Sequence, residues 1–456
     1  MSVGASVAPA EPRPSRGASY ATLLRLAGPV LLGSLAQSVV YLTDAVFVGR
    51  LGEDALAAVG MGALLFYLLT TVGAALGSAL QVLVARRLAQ ARPGAARRLF
   101  IAAGYLALCL SLLLAVLLWL LAPALSAALV PTDVVAELMA RYLRVVVLAV
   151  PGSFLWLWLL GLYTGLGQTR LVPWSTLAIA LSNVLGSYVW VWGGWGGPAL
   201  GIAGAGWATV LSESLGFVVL LAGLLQPRRR VLQGWLRKRA WHRRANRRLL
   251  RFAAPLVLRQ IVENSGGLLF FALVGLLGAR ALAVSNIARS LYTFASLPAL
   301  ALGTALQTVA SAQLGQGKAR SVLPTVRRAS VLGLTAGLAP ALLLWLVPDE
   351  LARWFADEPA LQAACVPVLR VLGGILLAFS AATMLVHAVV GVGGADYSLG
   401  LELVSTGTYL LAAWGTTQLG APLPLVWATE LGYWLLLGGL SWRYLQVGRW
   451  SIAQLH

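Results

Sequence analysis

Stretches of about 20 predominantly apolar residues recur from one end of this chain to the other, each long enough to carry an α-helix across a bilayer's hydrocarbon core. Separated by Pro, Gly or charge, they predict twelve spans centred near residues 36, 68, 109, 149, 182, 212, 263, 295, 336, 379, 408 and 434. Six precede a basic segment at 226–250 and six follow it. With 59% hydrophobic and 11% charged residues, the 456-residue chain holds more apolar surface than a soluble core of this size hides. The surplus faces lipid, and a single soluble domain is excluded.

The net charge of +19 sits in short clusters between the apolar runs and not on a soluble module, which argues against nucleic-acid binding. Arg86, Arg87, Arg92, Arg97 and Arg98 mark one loop as cytoplasmic, and Lys318, Arg320, Arg327 and Arg328 mark another. Loops of the opposite parity carry Asp133, Glu137, Asp349, Glu350, Asp357 and Glu358. Both termini are therefore expected in the cytoplasm, with the chain in the cell (inner) membrane. Cys109 and Cys365 lie in apolar runs, leaving neither a disulfide framework nor a CxxC metal site. Met1 to Ser19 lacks the apolar core of a signal peptide and reads as a disordered cytoplasmic tail.

An internal repeat organises the rest, because shifting the chain by 226 residues superimposes its halves without a gap over long stretches. Arg25, Ala27 and Pro29 fall on Arg251, Ala253 and Pro255, and Gly49 and Gly52 on Gly275 and Gly278. Gly77 and Gln81 meet Gly303 and Gln307, and far downstream Gly165 and Gly167 meet Gly391 and Gly393. Equivalent spans lie an even number apart, so the halves share one orientation about a pseudo-two-fold axis along the membrane normal.

The expected fold is an all-α polytopic membrane protein, with twelve transmembrane helices in two pseudo-symmetric six-helix bundles. The expected units are a tail at 1–19, an N-terminal bundle at 20–225, a basic cytoplasmic linker at 226–250, a C-terminal bundle at 251–446 and a tail at 447–456. Two bundles around a cleft suit transport by alternating access.

The segment Pro29 to Gly52, with Asp44-Ala-Val-Phe-Val-Gly49-Arg-Leu-Gly52, resembles the first-helix signature of the MATE (multidrug and toxic compound extrusion) family, within the MOP flippase superfamily. The second half repeats it as Pro255 to Gly278, with Glu263 where another branch of the family carries an acid. Leu166-Gly-Gln-Thr-Arg170, Gly204-Ala-Gly-Trp-Ala-Thr209 and Gly448-Arg-Trp450 are also similar to family motifs. The resemblance implies a monomeric exporter of amphipathic, often cationic organic compounds driven by inward H⁺ or Na⁺, with no other cofactor. It further implies a cation site on Asp44, Asn183 and Thr209, where Ser187 stands in place of a family Asp. A missing carboxylate weakens a Na⁺ site, which leans this bundle towards H⁺.

Ionisable side chains within hydrocarbon cost about 2.5 to 3.5 kcal/mol on insertion scales, so each invites a functional reading. Asp44 lies about 28 Å along the first helix, in its outer half, although a carboxylate near a helix end can also reach headgroup water. Glu263 lies about 18 Å into the seventh, near the bilayer middle, and its repeat counterpart is the neutral Gln37.

Asp396, after a Gly-rich turn, resembles a second C-terminal acid that would pair with Glu263 in a cation site. Glu402 reads instead as a solvated residue at the cytoplasmic edge of its helix. Gln37, Glu213, Glu430 and His387 are candidates for the substrate cleft. Glu213 and Glu430 would attract a cation there or bond within their own bundles, and His387 would relay protons or pack.

Two other classes stand beside the exporter. A flippase for a lipid-linked or amphipathic glycan is expected to line its cleft with Arg and Lys, whereas the intramembrane charges here read as mostly acidic. An integral membrane enzyme finds no HExxH, GxSxG or P-loop in the chain, and a missing P-loop also points to an ion gradient as the energy source.

Overall fold

The computed structural model describes residues 17–130, 132–226, 234–235, 243–355, 358–448 and 450. Within them the first half holds α1 (Tyr20–Gly49), α2 (Glu53–Ala89), α3 (Pro93–Leu129), α4 (Asp133–Val146), α5 (Val150–Gly165), α6 (Val172–Trp192) and α7 (Ile202–Leu224). The second holds α8 (Arg243–Gly275), α9 (Ala279–Gly315), α10 (Val322–Leu346), α11 (Pro348–Phe355), α12 (Pro359–Gly391), α13 (Ala395–Gln418) and α14 (Leu423–Val447).

Helices α4 and α5 form one span across a short 3₁₀ turn, and α11 is a short surface helix. Ten spans are long and apolar enough to cross a membrane on those criteria alone, and α1 and α13 complete the twelve. Each predicted centre falls inside a span, that at 149 in the 3₁₀ turn between α4 and α5. Apolar side chains on α3 such as Leu113, Val116 and Leu120 stay exposed, because lipid and not protein covers that face.

The repeated glycines mark where the chain must turn. Gly52 (φ 116°) and Gly278 (φ 104°) precede the second helix of each half in a conformation that a side chain disfavours. Other matched glycines allow close packing. A Cβ at Gly161 would run into the Gly77 backbone, so α2 and α5 cross in contact there. In the second half Gly303 repeats Gly77, but His387 replaces Gly161 and lays its imidazole on Gly303.

In the N-terminal bundle α1 packs on α6, α6 on α7 and α2 on α5; in the C-terminal bundle α8 packs on α13, α9 on α12 and α12 on α14. The bundles also exchange their first helices, α1 against α9 and α8 against α2. Leu23 and Ala27 are thereby buried in the C-terminal core, and Leu249, Ala253 and Leu256 in the N-terminal one.

Hydrogen bonds close the same seam. Gln81 donates to the Thr304 carbonyl (3.0 Å) and Thr308 Oγ1 (2.7 Å), while its repeat partner Gln307 donates to Ser78 Oγ (2.7 Å). Ser311 donates to the Val82 carbonyl at 2.7 Å and Arg86 to that of Gly391 at 3.1 Å. The seam lies towards the face that carries the basic loops.

Three expected boundaries move. The last eight residues of the expected 226–250 linker are helical, because α8 begins at Arg243 and runs on without a break into its span. Residues 17–19 of the expected tail are held in place: Ala18 N–H donates to Thr325 Oγ1 (2.9 Å), and Arg328 donates to the Gly17 and Ala18 carbonyls (2.8 and 2.9 Å). Beyond α14, Trp450 is buried in the C-terminal core. Residues 1–16, most of the linker and 451–456 lie outside the described residues.

Candidate functional site

Above the seam, away from the basic loops, each bundle opens on a cavity whose wall the other bundle completes, with Gln260 of α8 on the N-terminal one and Leu64, Tyr67 and Leu68 of α2 on the C-terminal one. The N-terminal cavity, about 370 Å³, is lined by polar groups from α1, α6 and α7. Helices α1 and α6 run side by side in constant register, with Leu26 beside Thr169, Gly33 beside Thr176 and Asp44 beside Ser187. Ser187 Oγ donates to Asp44 Oδ1 at 3.4 Å.

Asn183, one turn earlier on α6, is fully buried and lines the cavity beside Asp44, with its amide close to that carboxylate but without a hydrogen bond of good geometry at either its nitrogen or its oxygen. A buried amide left open on both sides is costly unless a ligand or water engages it. Thr209, Glu213 and Gln37 line the same space, and Gln37 Oε1 is also without a partner. The charged residues among the described lining are Asp44 and Glu213, with no Lys or Arg to balance them.

The C-terminal cavity, about 550 Å³, has the opposite bookkeeping. Arg289 forms a two-pronged ion pair with Glu430, at 3.2 and 3.1 Å, and its guanidinium lies 5.2 Å from the ring centres of Tyr292 and Trp427. Arg259 stands between Glu263 (3.3 Å) and Glu402 (3.2 Å). Glu402 further accepts hydrogen bonds from the Tyr433 hydroxyl and from Thr406 (3.1 Å). Glu263, Glu402 and Glu430 are therefore each held by an internal arginine.

The structure thus gathers Asp44, Asn183, Ser187, Thr209, Glu213 and Gln37 in one bundle, and Glu263 and Glu430 in the other. It does not bring Asp396 to Glu263. Asp396 is exposed in the first turn of α13, and the acid joined to Glu263 through Arg259 is Glu402. The expectation of a solvated Glu402 is likewise overturned, because the residue has no exposed surface. Its place near the start of α13 suggested water, but the helix turns that face inward onto α8. His387 lies below both cavities, in a third of about 320 Å³ that also includes Arg259, Gln81 and Gln307.

Sequence reasoning passed over Arg259 and Arg289. Both are visible as single arginines within apolar runs, and the four-residue spacing of Arg259 and Glu263 is the signature of a pair on one helix face.

Twelve spans in two bundles, a sealed seam on one side and largely apolar cavities holding buried charge on the other are the architecture of a membrane transporter. The chain belongs to the MatE family, whose model matches residues 29–189 and 255–414, one segment in each half. It is 28% identical over 373 residues to a probable multidrug resistance protein NorM of Agrobacterium fabrum, covering 78% of this chain and 77% of that one. It is 30% identical over 347 residues to the Pseudomonas putida protein of the same name, covering 75% and 74%. The fold matches an outward-facing multidrug resistance MATE transporter of the MOP superfamily with TM-score 0.85, at 20% identity over 95% of this chain and 96% of that one.

Proposed function

We propose that this chain is a secondary active antiporter that exports amphipathic, cationic organic compounds in exchange for H⁺ or Na⁺. It works as a monomer in the cell membrane, with the basic face and both termini in the cytoplasm and no cofactor besides the coupling ion. The observation that carries the reading is the N-terminal cavity, where Asp44 and Glu213 stand without a basic partner beside an unsatisfied Asn183. Uncompensated carboxylates in a low-dielectric space favour the arrival of a positive charge, whether proton, metal cation or organic cation. Exchange follows because the same charge serves two visitors: a coupling cation arriving from outside displaces a cationic substrate brought from inside. The names of the relatives, which speak of multidrug resistance, support the choice of cargo.

With the basic face inside, the seam through Gln81 and Gln307 closes the cytoplasmic side and leaves the cavities towards the exterior. Alternating access then requires that seam to part while the outer ends of the helices close. A glycan flippase draws no support from Arg259 and Arg289, since carboxylates already engage both.

Efflux of a fluorescent organic cation from proteoliposomes under imposed H⁺ or Na⁺ gradients tests the reading. Wild-type efflux should follow one gradient, Asp44→Asn should abolish the coupling, and Glu263→Gln should have the smaller effect because Arg259 still holds Glu402. Efflux indifferent to both gradients sinks antiport. Coupled efflux at wild-type rate in Asp44→Asn sinks the N-terminal site.

A further inference from the structure

The depth of Glu213 can be read from the packing of its neighbours. Helix α7 runs antiparallel to α6, with Ala208 against Gly186 and Gly216 against Ile179. That register sets Ser212 and Glu213 level with Asn183, while Asp44 is level with Ser187. Four residues of helix separate the two levels, a depth of about 6 Å. Thr209 falls between them. The cavity is thus a short ladder of oxygens, with Asp44 on the outer rung, Glu213 on the inner rung and the open Asn183 amide beside the inner one.

Glu213 is nearly buried, faces the cavity and has no ion pair among the described residues. Helix α5 comes close behind it, where Gly152 packs on the α7 backbone at Glu213 and Ser214. The other titratable groups on the cavity wall are Asp44, Tyr67 and Tyr142. None of them supplies a positive charge. The Asn183 amide presents both chemistries that a moving cation needs, an oxygen to accept a hydrogen bond from a protonated group or to ligate a metal ion and an N–H pair to hold the vacated carboxylate.

We propose that Glu213 is a second cation-carrying carboxylate of the N-terminal bundle, so that this cavity loads two monovalent cations per cycle, one on Asp44 and one on Glu213. The charge that Ser187 fails to provide on α6 is supplied one turn deeper, from α7. A cation entering from outside reaches Asp44 first, passes along Thr209 and Asn183 to Glu213, and leaves Asp44 free for a second. With both carboxylates neutralised, the cavity loses its hold on a cationic substrate. This rests on the antiport reading, and the measurement below separates the two.

The measurement is the limiting substrate ratio across proteoliposomes of the full chain, with the membrane potential clamped at zero and a tenfold gradient of H⁺ or of Na⁺ imposed in separate arms. Two cations per substrate give a ratio of about 100-fold and one gives about 10-fold. Wild type should reach the higher value in the arm of the coupling ion, Glu213→Gln the lower, and Glu213→Asp should keep the higher. Equal ratios in wild type and Glu213→Gln overturn the proposal and leave antiport intact. A wild type indifferent to both gradients overturns antiport itself.

Should Glu213→Gln fail to fold, infrared difference spectra of wild type and Glu213→Asp decide the matter. Loading the coupling ion should change two carboxyl signals, one of which moves in Glu213→Asp. A single signal that is the same in both proteins overturns the assignment.

Discussion

Arg289 illustrates how a charge is kept inside the C-terminal bundle. Its guanidinium meets both oxygens of Glu430 and rests among aromatic rings, so removing it strands a carboxylate that is 4% exposed. Arg289→Met should destabilise the protein by about 3–5 kcal/mol, read as a lower melting temperature in detergent. Adding Glu430→Leu should recover most of that loss, since two apolar side chains leave no lone charge behind. A double variant as unstable as the single one refutes the pairing argument.

At Glu263 the situation differs, because its guanidinium is shared with a second acid. This contrast between shared, paired and unpaired carboxylates separates residues that the sequence shows simply as acids in apolar runs.

Among elements, the segment before α1 binds the two halves together through α10. Thr325→Val with Arg328→Ala removes the acceptor of the Ala18 N–H and the donor to the Gly17 and Ala18 carbonyls. Hydrogen exchange at the Ala18 amide should then accelerate by roughly tenfold, as expected for about 1.4 kcal/mol of lost local protection. Unchanged exchange means that the segment is held by something else.

The spans themselves were legible in the sequence because lipid demands a long apolar helix at every crossing, a requirement that runs of Leu, Ala and Val display directly. That Asp44, Asn183 and Thr209 lie around one cavity was expected from the family motif, with Ser187 in the place of a family Asp. The basic linker was misjudged at its end, since an Arg-rich stretch looks the same as solvated loop or as the first turns of α8. Glu402 was misjudged because helical phase, and not distance from the helix end, decides which way a side chain turns. The level of Glu213 depends on how α6 and α7 slide past one another, which no local pattern encodes.

For the molecule as a whole, the seam sets which side is open. Gln81→Leu with Gln307→Leu deletes the two glutamines' bonds across it while keeping similar bulk and leaving those of Ser311 and Arg86, and should raise the fraction of molecules open towards the basic face. Ala75 is buried on the wall of the third cavity beside Gln81 and Gln307, and in a Cys109→Ser, Cys365→Ser background Ala75→Cys reports this through its labelling rate by a membrane-impermeant thiol reagent added on the basic side. The rate should rise by about tenfold over the parent with both glutamines, and an unchanged rate places the closure elsewhere.

The same two glutamines also bear on descent. Gln81 bonds to Thr304 and Gln307 bonds to Ser78, and Thr304 is the repeat equivalent of Ser78. A residue and its own copy reaching across a two-fold axis is the pattern of an isologous homodimer interface. Two identical half-length chains would form this joint twice over without any linker. The connection between the halves therefore belongs to the repeating unit, and the covalent tether is an addition to an assembly that its own surface already specifies.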